Sequence, residues 1–190
     1  MRKNSTATDV AYVAVFTALV IVLAFVSIPV GTAGVPIVVQ NAALILAGLI
    51  LGGRRGLYVG LLFLLIGLAL PVLAGGRTAL EGLAGPTVGY LVGYILSPWI
   101  AGTIAYRAPR NKGAMTAILA IAAFVGLTVQ YLSGIIGLIV RAGMEVNAAL
   151  AAQTPFLLFD VVKMVVVIAI AIAVHSAFPD LLGRRTRVHD

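Results

Sequence analysis

The sequence predicts an all-α integral membrane protein with six transmembrane helices and both termini on the cytoplasmic side. Three observations carry the prediction. Hydrophobic residues make up 62% of the 190 and charged residues 10%, where a soluble domain is near half apolar and a quarter charged; mean hydropathy is +1.13. The apolar residues fall into long runs divided by short segments rich in Gly, Pro and basic residues. The basic residues are shared unequally between alternate connections.

A helix rises ~1.5 Å per residue, so a ~30 Å hydrocarbon core takes about 20 residues. The first run, 10–28, follows Arg2 and Lys3. It is long enough to span and lacks a small-residue cleavage site, so it reads as a helix and not as a cleavable signal. The second and third runs, 37–51 and 57–73, are short. They read as a tight hairpin turned by Gly52-Gly53-Arg54-Arg55-Gly56, where glycine permits positive φ. The fourth and fifth runs are 87–106 and 114–140. The sixth, 154–178, opens with Thr154-Pro155, the pattern of an N-cap followed by a first-turn proline. Only helices and closed barrels satisfy their backbone polar groups in lipid, and runs this long and uniformly apolar do not alternate as barrel strands do. One six-helix domain over 1–190 follows.

Six crossings put both ends on one side. Ten basic residues share that side: Arg2, Lys3, Arg54, Arg55, Arg107, Arg110, Lys112, Arg184, Arg185 and Arg187. Two, Arg77 and Arg141, lie on the other, and Lys163 lies inside a run. Cytoplasmic loops carry the excess of Lys and Arg, so the termini are expected inside the cell. The net charge of +7 is explained by orientation and by anionic lipid headgroups, without nucleic acid.

Much chemistry is excluded. With no cysteine there are no disulfides, thiolate metal sites or thiol nucleophiles. The chain has no G-x-x-x-x-G-K-[ST] loop and no H-E-x-x-H. It has no carboxylate cluster of the kind a metal-dependent lipid synthase needs, and it is short for a duplicated secondary transporter. His175 and His189 have no metal-ligand neighbours in sequence. No enzyme activity, cofactor or metal is expected.

Orientation assigns a depth to each polar residue in a run. Gln40 and Asn41 begin helix two on the outer side. Thr87, Tyr90 and Tyr94 share one face of helix four by their spacings of three and four. Thr128, Gln130, Tyr131 and Ser133 lie in the middle to outer half of helix five, with Thr128 and Ser133 suited to bonding their own helix. On helix six, Gln153, Asp160 and Lys163 fall within about 80° of arc. These groups gather in the outer half and predict a cavity there. Asp160 and Lys163 are its sharpest feature, because a charge at mid-membrane costs roughly 2.5–3.5 kcal/mol on insertion scales. They neutralise each other as an i, i+3 pair that holds helices together, or contact a ligand, or serve a proton relay, a third reading weakened because no further chain of Asp, Glu or His crosses the membrane. Arg77 and Glu81, in the outer loop 74–84, are placed to form a lid or else a solvated loop. Gly85, Gly89 and Gly93, Gly48 and Gly52, and Ala14 and Ala18 recur every four residues, a spacing that lets helices approach closely. For Ala14 and Ala18, docking onto a second membrane protein is the alternative.

Several of these residues form motifs. Leu70-Pro71-Val72-Leu73-Ala74-Gly75-Gly76 precedes Gly85-Pro86-Thr87-Val88-Gly89-Tyr90-Leu91; Val35-Pro36-Ile37 leads to Gln40; Leu51-Gly52 meets Arg54-Arg55-Gly56; and Asp160-Val161-Val162-Lys163 gives D-x-x-K. On these the chain resembles the BioY family, the biotin-binding S components of energy-coupling-factor (ECF) transporters, over nearly its whole length. The resemblance implies a six-helix S-component fold in the cell membrane and capture of biotin from outside. It implies partnership with a membrane coupling protein, contacted through Ala14 and Ala18, and with cytoplasmic ATPases. It implies ligand contacts from Asp160, Lys163, Tyr90, Thr87, Gly85, Gln40 and Arg77. An S component for another small vitamin, or a small membrane enzyme, is the alternative reading.

Overall fold

The computed structural model describes residues 6–28, 37–109 and 111–182. Val35-Pro36, the basic residues Arg2, Lys3, Arg110, Arg184, Arg185 and Arg187, and His189 fall outside them. Helix α1 (Thr6–Ala24) leads to an antiparallel ribbon of two-residue strands, β1 (Ser27–Ile28) and β2 (Ile37–Val38), in which Ser27 faces Val38. The helices α2 (Gln40–Leu51), α3 (Gly53–Ala69), α4 (Ala79–Ala84), α5 (Val88–Ala105), α6 (Lys112–Ala142), α7 (Val146–Ala151) and α8 (Thr154–Ala177) follow, and a 3₁₀ turn closes the described chain.

Among the described residues, four helical stretches are long and apolar enough to cross a membrane: Thr6–Ala24, Val88–Ala105, Lys112–Ala142 and Val146–Ala177. With 12 and 17 residues, α2 and α3 reach only ~18 and ~26 Å, less than the ~30 Å hydrocarbon core. Every residue of α2 is buried. It is apolar all round because it runs through the middle of the bundle, against α1, α3, α5, α6 and α8. Large apolar side chains of α1, α6 and α8 instead stand exposed, among them Val15, Val22, Ile136, Val140, Leu158 and Val165; this is a surface that lipid solvates.

The boundaries differ from the expected runs for local reasons. Residues 37–38 belong to the ribbon, so α2 begins at Gln40. The turn after α2 is the single residue Gly52, at φ 86°, and Gly53 to Gly56 already lie in α3. Pro71 disfavours helix at the residue before it, and Leu70 is extended at φ −122°, ψ 147°. Beyond it Leu73 N–H donates to Arg77 O (2.9 Å), across Gly75 and Gly76 at φ 75° and 71°. The expected loop 74–84 contains α4, opened by a capping box between Thr78 and Glu81. The N-cap position of α8 is Gln153, not Thr154, and Pro155 lies in the first turn.

The glycine repeats are packing surfaces, as their spacing suggests, while Ala14 and Ala18 are exposed. A Cβ on Gly48 would lie 2.8 Å from Pro98 Cα, and one on Gly89 would lie 2.8 Å from Gly137 Cα. So α2 and α6 both close onto the α5 backbone. Gly85 takes no part, because a Cβ there would meet only carbonyls of α4. At the far end from the ribbon, Tyr106 OH donates to Ile50 O (2.9 Å) and the buried His175 Nε2 donates to Leu49 O (2.9 Å). The Arg55–Asp9 ion pair ties α3 to α1 there.

Candidate functional site

Where α2, α5 and α8 begin, the helices diverge around a half-enclosed cavity of about 650 Å³, its mouth included. The wall is apolar and aromatic, from Val38, Leu73, Ala74, Leu91, Tyr94 and Phe156. Set into it are Gln40, Asn41, Arg77, Thr87, Tyr90, Gln130, Tyr131, Asp160 and Lys163.

The charged pair anchors a network across four helices, α2, α5, α6 and α8. Lys163 and Asp160 form an ion pair one turn apart on α8. Lys163 Nζ also donates to Val38 O (2.7 Å) and Asn41 Oδ1 (3.0 Å). Asp160 accepts from Asn41 Nδ2 at Oδ1 (3.2 Å) and from Tyr131 OH at Oδ2 (2.6 Å). An ammonium has three donors, and all three are engaged. A buried pair is tolerable when further hydrogen bonds satisfy its remaining valences, and Asn41 and Tyr131 do this. Asn41 is held in turn, since its carbonyl accepts from Gln130 Nε2 (3.1 Å), which also donates to Ser97 Oγ (2.8 Å).

Other groups are left with unused capacity. Gln40 is fully buried; its Nε2 donates to Val72 O (3.1 Å), and its Oε1 has no partner among the described residues. An unmet buried acceptor costs ~1–3 kcal/mol, so this oxygen presents a standing demand for a donor. Arg77 Nε donates to Ala74 O (3.3 Å), and its terminal nitrogens have no protein partner among the described residues. Tyr90 OH donates to Gln153 Oε1 (2.8 Å), while Gln153 Nε2 donates to Ala149 O (3.0 Å), linking α5 to the α7–α8 junction. Behind the Leu73–Arg77 turn, Glu81 accepts from Thr78 N–H (2.6 Å) and Thr78 OH (3.0 Å). These bonds, the backbone one foremost, hold the Glu81 carboxyl below the usual range. The site thus offers an orphan acceptor, a cation with unused donors and aromatic walls over a neutral ion-paired floor. That set suits a small ligand with an apolar body, N–H donors and a negative charge.

The sequence matches the BioY family over residues 1–180. The chain belongs to the BioY family. Among its BioY relatives, a biotin transporter of Rhodobacter capsulatus is 37% identical, the match covering 93% of this chain and 98% of the relative. One from Rhizobium etli is 34% identical, over 93% and 97%. The fold is similar to the crystal structure of the S component for biotin from an ECF-type ABC transporter, with TM-score 0.81 and 26% identity over 93% of this chain and 95% of that one.

In this BioY chain the cavity gathers Gln40, Arg77, Thr87, Tyr90, Asp160 and Lys163. Gly85 is not part of its wall; it ends α4, its N–H bonded to Glu81 O (3.0 Å). Ala14 and Ala18 lie on the exposed face of α1, away from the cavity. Asn41 and Tyr131 were visible in sequence as polar residues in apolar runs, but their closeness to Asp160 was not: Asn41 lies 119 residues away. Leu73 and Leu91 stand in the sequence motifs but not as wall residues, and Phe156 gave no signal, since an apolar wall residue looks like any other in such a chain. Among the described residues, no group of three or more His, Asp or Glu is placed to hold a metal.

Proposed function

We propose that this chain is the substrate-capturing membrane subunit of a biotin uptake transporter, loaded from the extracellular side and driven by a partner membrane coupling protein and cytoplasmic ATPases. The observation that carries the proposal is the cavity around Asp160 and Lys163, in a chain whose BioY relatives are biotin transporters. Biotin pairs a ureido ring and an apolar bicycle with a carboxylate. In this reading Asp160, with its remaining lone pairs, and the orphan Gln40 Oε1 accept the ureido N–H groups. Lys163 and Thr87 serve the ureido oxygen, with Lys163 exchanging its bond to Val38 O or Asn41. Tyr90 packs on the bicycle and Arg77 meets the carboxylate. Gly85 acts only by shaping the Gly85-Pro86-Thr87 turn that delivers Thr87.

The topology belongs to the same proposal. Six crossings with both termini cytoplasmic are supported by the distribution of basic residues, ten against two, with the short α2 crossing inside the bundle and the short α3 at its edge, where Leu61, Leu65 and Leu68 are exposed. The exposed Ala14 and Ala18 stripe would give the coupling protein a close helix contact. Isothermal titration of the purified chain with biotin tests the reading. Tight binding in wild type, lost in both Asp160→Ala and Lys163→Ala, supports it; unchanged affinity in both variants sinks it.

A further inference from the structure

Gly134, on α6, is buried and does not line the cavity. The Tyr90 ring lies directly on it: a Cβ at Gly134 would fall 2.7 Å from Tyr90 Cδ1 and closer still to Cε1 and Cζ. Real Cβ atoms do not approach so near, so any side chain at this position must displace the ring.

Two restraints limit where the ring can go. Retreat of the α5 backbone from α6 would give up the close packing of Gly89 on Gly137, one residue before Tyr90 and three after Gly134. The far end of the ring is held by the hydrogen bond from Tyr90 OH to Gln153 Oε1 (2.8 Å), itself braced through Ala149 O (3.0 Å). The remaining side of the ring faces the cavity.

The geometry points to Gly134 as the residue that sets the width of the binding cavity, and so the bulk of ring it admits, by fixing the depth of the Tyr90 ring. Gly134 is a positioning residue that touches no ligand. The inference rests on the biotin reading above and adds a size filter to it. One extra carbon against a fitted pocket is worth about 10–200-fold in discrimination, and here the carbon acts through a tyrosine.

The test compares biotin with its single-ring analogue desthiobiotin, by titration against wild type, Gly134→Ala, Tyr90→Leu and the double variant. Gly134→Ala is expected to weaken biotin about tenfold or more and desthiobiotin less, so the ratio of the two affinities shifts. In the Tyr90→Leu background, adding Gly134→Ala is expected to change neither. Unchanged affinity for both ligands in Gly134→Ala overturns the inference. So does an equal loss for both that persists without the Tyr90 ring, which marks a merely structural glycine. If Gly134→Ala alone cannot be purified folded, recovery of folded protein in the double variant supports the clash with Tyr90, and failure to recover it overturns the clash. Wild type that binds neither ligand overturns the biotin reading itself, a result distinct from all of these.

Discussion

At the scale of single residues, the Asp160–Lys163 pair combines structural and functional demands. Lys163 spends its three donors on Asp160, Asn41 and Val38, so deleting it leaves a buried carboxylate with only Asn41 and Tyr131 for support. Removing one partner of a buried pair costs ~3–5 kcal/mol. Lys163→Ala is therefore expected to lower the melting temperature in detergent as well as to abolish biotin binding. Asp160→Asn with Lys163→Met, which removes both charges while keeping bulk, is expected to recover most of the thermal stability without the binding. If the double variant melts as low as Lys163→Ala, the loss does not come from the uncompensated charge. Gln40 differs: its Oε1 is satisfied by nothing among the described residues. Gln40→Leu removes the unmet acceptor but also takes the donor from Val72 O, so gain and loss oppose and stability is expected to change by less than about 1 kcal/mol, while biotin is weakened at least about tenfold, by roughly the 1.4 kcal/mol of one hydrogen bond. Melting curves and titration on the same preparation separate the two effects.

At the scale of elements, glycines and one capping box decide how the bundle closes. A Cβ on Gly48 would overlap the Pro98 backbone, and backbone cannot step aside as a side chain can. Gly48→Ala is expected to destabilise by about 1–3 kcal/mol, read as a lower melting temperature and a poorer yield of monodisperse protein. The box on α4 carries a pH signature. The Thr78 bonds lower the folded-state pKa of Glu81, so their contribution is fully present above the unfolded value of about 4.3. It is lost as pH falls through the lower folded value. Amide exchange in α4, corrected for intrinsic rates, is expected to accelerate relative to α5 on that descent; in Glu81→Gln the relative rate is expected to stay flat. A flat wild-type profile would show that the box does not hold α4.

At the scale of the whole molecule, burial is distributed so that α2 is enclosed while α1, α6 and α8 present apolar faces outward. The proposed topology is testable because the chain has no cysteine. A single Cys at Arg77 is expected to react with an impermeant maleimide on intact cells, and one at Arg54 only after lysis; the opposite pattern would invert the orientation. Ala14 and Ala18 stand on an exposed face of α1 that the bundle does not use. Ala14→Trp is expected to leave biotin affinity unchanged and to abolish co-purification with the coupling protein, and loss of binding would place that face inside the receptor's own packing.

Sequence by itself determined the solvent, the helical class and the polar residues worth watching, because a bilayer demands long apolar runs and makes every buried charge conspicuous. Six of the seven expected ligand contacts line the cavity, and Gly85 fails to join them because it ends α4, its N–H bonded to Glu81 O. Tertiary structure decided which polar groups satisfy one another. Asn41 and Tyr131 stand beside Asp160 only once α2, α6 and α8 converge, and periodicity records faces within a helix, not partners across helices. It decided too that α2 stops at 12 residues: a helix enclosed by others and one facing lipid are equally apolar, so hydrophobicity alone does not tell them apart.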